Sequence, residues 1–134
     1  EIGYAPGRAY YHKALDYIIV PPLIDFPNPN EFYSVLFHEM VHSTGHPERL
    51  NRKGIATSAA FGDADYSREE LVAEMGAAML CSLAGIENST IDNSAAYIQS
   101  WLEQLENDSK LIVYAAAQAQ KAVDYITGNQ YQTE

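Results

Sequence analysis

The chain has one cysteine, Cys81, so no internal disulfide can form. That usage suits a reducing cytoplasm and sets aside small disulfide-stapled folds. Basic residues are scarce as well: eight Lys and Arg stand against 18 Asp and Glu, a formal net charge of −10 in 134 residues. Affinity for a phosphate backbone comes from Lys and Arg, so this domain is not expected to grip nucleic acid by itself. No run approaches the roughly 18 uninterrupted apolar residues of a membrane span, and no signal peptide opens the chain. Neither a membrane nor a secretory role is expected, and the location implied is cytoplasmic. Internal repeats, low-complexity tracts and long charge runs are also lacking.

What is present is enough apolar material, 47% of residues, for a packed core. The length suggests one domain over residues 1–134, and the missing initiator methionine suggests a fragment of a longer protein. Asp16–Val20 is rich in β-branched and aromatic residues and stops at Pro21-Pro22, the pattern of a strand. The flanking prolines favour an edge position for it.

A helix is predicted next. Asn28 is a suitable N-cap, Pro29 fits the first helical position, Glu31 has capping-box spacing, and Gly45 is a stop. Residues 46–66 read as a long loop. Ser67-x-x-Glu70 reads as the capping box of a second helix that ends at Gly85. Amphipathic helices follow over about 94–107 and 110–127, by the spacing of their apolar residues. The fold class expected is α+β, mostly helical with a small N-terminal sheet.

The first helix carries His38-Glu39-Met40-Val41-His42, an H-E-x-x-H motif. Residues i and i+4 share a helix face, so the two imidazoles converge at a spacing that suits nitrogen ligation of one Zn²⁺. Glu39 lies about 100° round the helix, beside the metal, where it can act as a general base. Two exposed helix histidines beside a solvated Glu would leave unexplained why His38, His42 and His46 fall together when the chain has four histidines.

A catalytic zinc usually has three protein ligands and one open position. Glu48, His46, Glu70 and Glu74 compete for the third place. Glu48 has the metzincin spacing, but that reading needs a methionine turn outside a helix. Met40, Met75 and Met79 all fall within predicted helices. Glu70 is explained by the capping box. Glu74 lies mid-helix beside Leu71, Ala77 and Ala78, where a carboxylate is costly unless paired or metal-bound. Glu74 is therefore the expected third ligand. The small run Gly76-Ala77-Ala78 should let this helix approach the first closely. Zn²⁺ is the default ion, with Mn²⁺ or another divalent ion as the alternative.

The string from His38 to Leu50 (His-Glu-x-x-His-x-Thr-Gly-His-x-x-Arg-Leu) is followed by Phe61-Gly62 and Tyr66–Ala78. Further on come Ala84-Gly85-Ile86, Tyr97–Leu102 and an alanine-rich last helix. Together these resemble the zincin-like metallopeptidase domain of ArdC-type antirestriction proteins and of phage and plasmid polyvalent proteins. The resemblance runs from about Tyr11 to Ile126. It implies a gluzincin-type arrangement, with His38, His42 and Glu74 as metal ligands and Glu39 as catalytic base. It also implies a role in protecting incoming plasmid or phage DNA from restriction. Such proteins carry an N-terminal single-stranded-DNA-binding domain that this chain lacks, so nucleic-acid contact is expected only through that domain.

The reaction expected is peptide-bond hydrolysis, with a protein or peptide substrate added along the Tyr17–Val20 strand. His46, Tyr66 or Arg49 is available as an oxyanion donor. Two rivals belong to other classes: a metal-stabilised binding module without turnover, and an acidic decoy for a restriction enzyme. A zincin site acting on a non-peptide substrate is a third.

Overall fold

The computed structural model describes residues 1–57, 63–86, 91–106 and 108–129. The Phe61-Gly62 pair lies outside the described residues. Among the described residues, three short strands, β1 (Ile2–Tyr4), β2 (Tyr10–His12) and β3 (Tyr17–Val20), precede a 3-10 turn at Leu23–Asp25 and five α-helices. These are α1 (Pro29–Thr44), α2 (Lys53–Ala56), α3 (Ala64–Leu83), α4 (Ile91–Gln104) and α5 (Ser109–Thr127). The mostly helical α+β class is the one read from the sequence.

β3 is the central strand, not an edge. The order is β1-β3-β2, with β1 parallel and β2 antiparallel to β3. Pro21 and Pro22 follow the last residue of β3, so they remove no ladder donor from it. Asp16 belongs to the preceding turn, with φ of 54° and its amide donating to the His12 carbonyl at 2.8 Å. The edge facing the helices is β2.

α1 follows its local signals. The Asn28 side-chain oxygen accepts from the Glu31 amide at 3.0 Å, and Pro29 is the first helical residue. Gly45 ends the helix where no side chain fits: a Cβ there would lie 2.7 Å from Ile55 Cγ1 and 3.0 Å from Arg52 Nη2. One face of α1 buries Phe32 and Leu36 against Ile18 and Val20 of the sheet. The other presents Val41 to Leu71, Val72 and Ala73 of α3, and α5 closes that core with Ala115, Ala119, Ala122 and Val123.

α3 starts three residues before the position read from the sequence. Asp63 precedes it, and the Ser67 amide already donates to the Asp63 carbonyl at 3.0 Å. Ser67 is therefore buried within the helix and caps nothing, which leaves Glu70 two turns in without a capping task. The small run on α3 does bring the helices together. A Cβ on Gly76 would lie 2.7 Å from Val41 Cγ2, so α1 and α3 meet at a separation that glycine permits. The region read as a loop over 46–66 contains the single-turn helix α2 and the first turn of α3.

Candidate metal centre

The one-turn spacing on α1 brings His38 Nε2 and His42 Nε2 to 3.0 Å. The Glu70 carboxylate from α3 closes a triangle with them. Its Oε2 lies 3.3 Å from His38 Nε2, and its Oε1 lies 3.3 Å from His42 Nε2. One ligand atom from each of His38, His42 and Glu70 lies within 4.8 Å of the others. Tetrahedral ligation at about 2.0–2.1 Å requires ligand-to-ligand edges of about 3.3–3.4 Å. The donor set and its spacing thus fit a divalent cation with little movement.

Glu74 occupies a different place. Its Oε1 lies 3.4 Å from His38 Nδ1, on the ring nitrogen facing away from the triangle. One helical turn separates it from Glu70, so the two carboxylates take the two nitrogens of one imidazole. His42 has the equivalent support from Glu69, whose Oε1 accepts from Nδ1 at 3.1 Å. A donor at Nδ1 leaves Nε2 as the lone-pair nitrogen and fixes the ring plane.

Glu69 is itself held from below. Arg52 donates from Nε to Glu69 Oε2 at 2.9 Å and from Nη2 to Oε1 at 2.7 Å. The remaining guanidinium contacts run to α1, at 2.7 Å to Thr44 Oγ1 and 2.6 Å to the Val41 carbonyl. Arg52 is 4% exposed and Glu69 6%, so this pair lies in the interior with its polar atoms matched. The sequence reading names neither Arg52 nor Glu69 as a site residue.

The electrostatics follow these contacts. Burial pulls the histidines down, but hydrogen bonds donated to the Glu70 and Glu74 carboxylates outweigh it and push His38 up to about 9. Glu69 and Glu70 do the same for His42, up to about 10. Two Nε2 atoms so close cannot both point a proton into one gap, so the upward direction belongs to the pair. Burial raises Glu70, yet its hydrogen bonds to both imidazoles hold it well below the usual carboxylate range. Glu69 is likewise lowered, by Arg52 and His42 against burial.

The remaining candidates separate. Glu39 is 8% exposed and lines the two cavities flanking the histidines, about 490 and 420 Å³. His46 is turned to its own loop, where Nδ1 accepts from the Glu48 amide at 3.1 Å. Neither His46 nor Glu48 joins the cluster. Arg49 is engaged by Asp16, with Nη1 donating to Oδ1 at 3.1 Å. Of the three oxyanion candidates, Tyr66 alone borders the cavity over the histidines. Burial and the nearby Glu70 charge raise its hydroxyl.

The chain has relatives among known proteins. Over 130 residues the chain is 34% identical to the uncharacterised protein y4eC of Sinorhizobium fredii, covering 97% of this chain and 41% of that one. It is 37% identical over 119 residues to the DNA primase TraC of Escherichia coli, covering 89% of this chain and 11% of that one. The crystal structure of the antirestriction protein ArdC from plasmid R388, in Mn(II)-bound form, superposes with a TM-score of 0.76 at 39% identity. That match covers 100% of this chain and 49% of ArdC. The metal-free form of ArdC gives 0.74 at 43% identity, over 96% of this chain and 46% of ArdC. The chain thus spans half or less of each relative. A family described as zincin-like metallopeptidase matches residues 1–118, and the chain belongs to that family.

Proposed function

We propose that this domain is a metal-dependent peptidase in which His38, His42 and Glu70 hold one divalent cation and Glu39 is the general base. The observation carrying the ligand set is the convergence of His38 Nε2 and His42 Nε2, 3.0 Å apart, on the Glu70 carboxylate, whose Oε2 lies 3.3 Å from the first nitrogen and whose Oε1 lies 3.3 Å from the second. Glu74, the third ligand expected from sequence, becomes in this reading the group that orients His38. Glu69, backed by Arg52, orients His42. Zn²⁺ suits two imidazoles and a carboxylate, and the Mn(II) form of ArdC favours Mn²⁺ as the alternative.

A bound cation would supply Lewis acidity toward a water and a peptide carbonyl. Glu39 follows His38 on α1, so its carboxylate lies beside the imidazole pair and outside the ligand triangle. There it accepts the water proton and delivers it to the departing amine. Tyr66 is placed to donate its hydroxyl proton toward a developing oxyanion. Because β3 is paired on both sides, the extended peptide expected along Tyr17–Val20 is assigned instead to β2, an edge strand, held by main-chain hydrogen bonds. The likeness to the antirestriction protein ArdC supports a role for this hydrolysis in protecting incoming plasmid or phage DNA, with a protein as the proposed substrate.

Glu39→Gln separates binding from chemistry. The variant should retain one metal ion per chain by elemental analysis while losing cleavage of a quenched fluorescent peptide library that the wild type cleaves. Cleavage that survives the substitution, or survives a chelator, would sink this mechanism. An acidic decoy would instead keep inhibiting a restriction enzyme after metal removal.

A further inference from the structure

The cleft is polarised. Both cavities flanking His38 and Glu39 share Arg8, from the turn between β1 and β2. The side of about 490 Å³ adds the carboxylates of Glu31 and Glu74. The side of about 420 Å³, bordered by β2, adds Lys13. Its acidic groups are Glu39, Glu69 and Glu70, all engaged in the metal site or its support in the reading above. The charge left over on that side is cationic.

Arg8 differs from the other three arginines, each of which pairs with a carboxylate. Arg49 pairs with Asp16, Arg52 with Glu69, and Lys53 and Arg68 with Asp65. Arg8 makes no hydrogen bond or ion pair among the described residues, although it lies within electrostatic reach of Tyr66. Lys13 donates to the Thr57 backbone carbonyl at 3.2 Å and pairs with no carboxylate among the described residues.

We propose that Arg8 and Lys13 form a carboxylate subsite on the β2 side of the cleft, so that the peptide bound there presents an acidic group beside the metal centre. This rests on the peptide reading above and names the substrate class: an acidic side chain or a free chain terminus. A guanidinium offers a planar fork matched to a carboxylate, and an ammonium beside it adds charge without demanding a fixed geometry. The opposite side shares Arg8 but has Glu31 where the β2 side has Lys13, so the preference applies to the β2 flank of the scissile bond.

The test uses the Glu39→Gln protein loaded with Zn²⁺, titrated by fluorescence anisotropy with labelled, C-terminally amidated peptides of one sequence. A single Glu, Gln or Lys is walked through the positions, and one further Gln peptide ends in a free carboxylate. Glu at one or two adjacent positions should tighten binding over Gln by about two- to fivefold, the range of an exposed ion pair. The preference should fade between about 50 and 300 mM salt. Arg8→Gln should remove the preference, Arg8→Glu should reverse it toward Lys, and Lys13→Gln should weaken it. Tight binding of the free-terminus peptide assigns the subsite to a chain end, and of the internal Glu peptides alone to a side chain. Equal affinities for Glu, Gln and Lys, a preference surviving Arg8→Glu, or no binding of any peptide overturns the proposal. Wild-type protein with the same peptides reads the peptidase reaction separately. Charge-selective binding without cleavage sinks that reading alone, and cleavage without charge selection sinks the subsite alone.

Discussion

Glu74 and His38 meet on the nitrogen that cannot reach the metal triangle: Oε1 lies 3.4 Å from Nδ1, while Nε2 faces Glu70. The pair shows how α3 organises the site. Three of its carboxylates, Glu69, Glu70 and Glu74, each contact an imidazole of α1. Spacing of one residue and one turn on α3 is thus matched to spacing of one turn on α1. A shift of either helix along the other would break several contacts together.

That division of labour predicts different costs. Glu74→Gln removes a group that orients a ligand, a change that typically lowers metal affinity by about 10–100-fold. Glu70→Ala removes the proposed ligand itself and should cost more. Competition with a chromophoric chelator ranks the two. A larger loss for Glu74→Gln would return the ligand role to Glu74.

Arg52 invites a second prediction. Its guanidinium ties Glu69 to α1 in the interior, so Arg52→Met leaves a buried carboxylate without its main cation. Breaking such a pair costs about 3–5 kcal/mol. Urea unfolding of the metal-free protein should show a loss of that order. Simultaneous Glu69→Gln should recover part of it, because the orphaned charge is then gone. Equal stability of Arg52→Met and wild type would mean that the buried network contributes nothing.

The contrast between α1 and α3 explains how much of this was legible in the sequence. α1 is specified locally: Asn28, Pro29, Glu31 and Gly45 stand where they were read, and the i,i+4 histidines converge because helix geometry leaves no alternative. The start of α3 was misread because Ser67-x-x-Glu70 imitates a capping box from inside a helix, a spacing too short to exclude chance. That misreading gave Glu70 a structural task and so left Glu74 as the third ligand expected from sequence. The central place of β3 depends on pairings with β1 and β2 that no local pattern encodes. The Arg52–Glu69 pair spans 17 positions, and neither residue sits in a context that announces burial. A buried threonine and glycine at the end of α1, Thr44 and Gly45, were the available hint that something packs there.

Gly76 makes the helix contact itself testable. A methyl placed 2.7 Å from Val41 Cγ2 cannot be absorbed without moving α1 or α3. Gly76→Ala gains helix propensity of about 0.8–1 kcal/mol. Overpacking costs typically about 1–3 kcal/mol. The net expectation is destabilisation, together with weaker metal binding because the ligands come from both helices. Val41→Ala should relieve the clash, so the double variant should bind metal better than Gly76→Ala alone. A stabilised, fully metal-competent Gly76→Ala would show that the helices have room to spare.

The last prediction concerns acid. Asp16 accepts from the Tyr11 hydroxyl at 2.8 Å and from Arg49, which joins the turn before β3 to the loop after α1. Burial works against its ionisation, but Tyr11 and then Arg49 prevail and hold its carboxyl below the ordinary value. A carboxyl depressed in the folded state contributes stability above its unfolded pKa, about 3.9, and loses it as pH falls through the folded value. Asp16→Asn keeps the shape and the tolerance for positive φ but removes the charge. The variant should therefore unfold at lower urea than wild type at pH 7, by a gap that stays constant down to about pH 4. Below that the gap should narrow as wild-type Asp16 takes up its proton. Salt should shrink the gap at pH 7, since the pair is partly exposed. A gap that widens on acidification would contradict the sign, and would mean that the folded protein binds the Asp16 proton more tightly than the unfolded chain does.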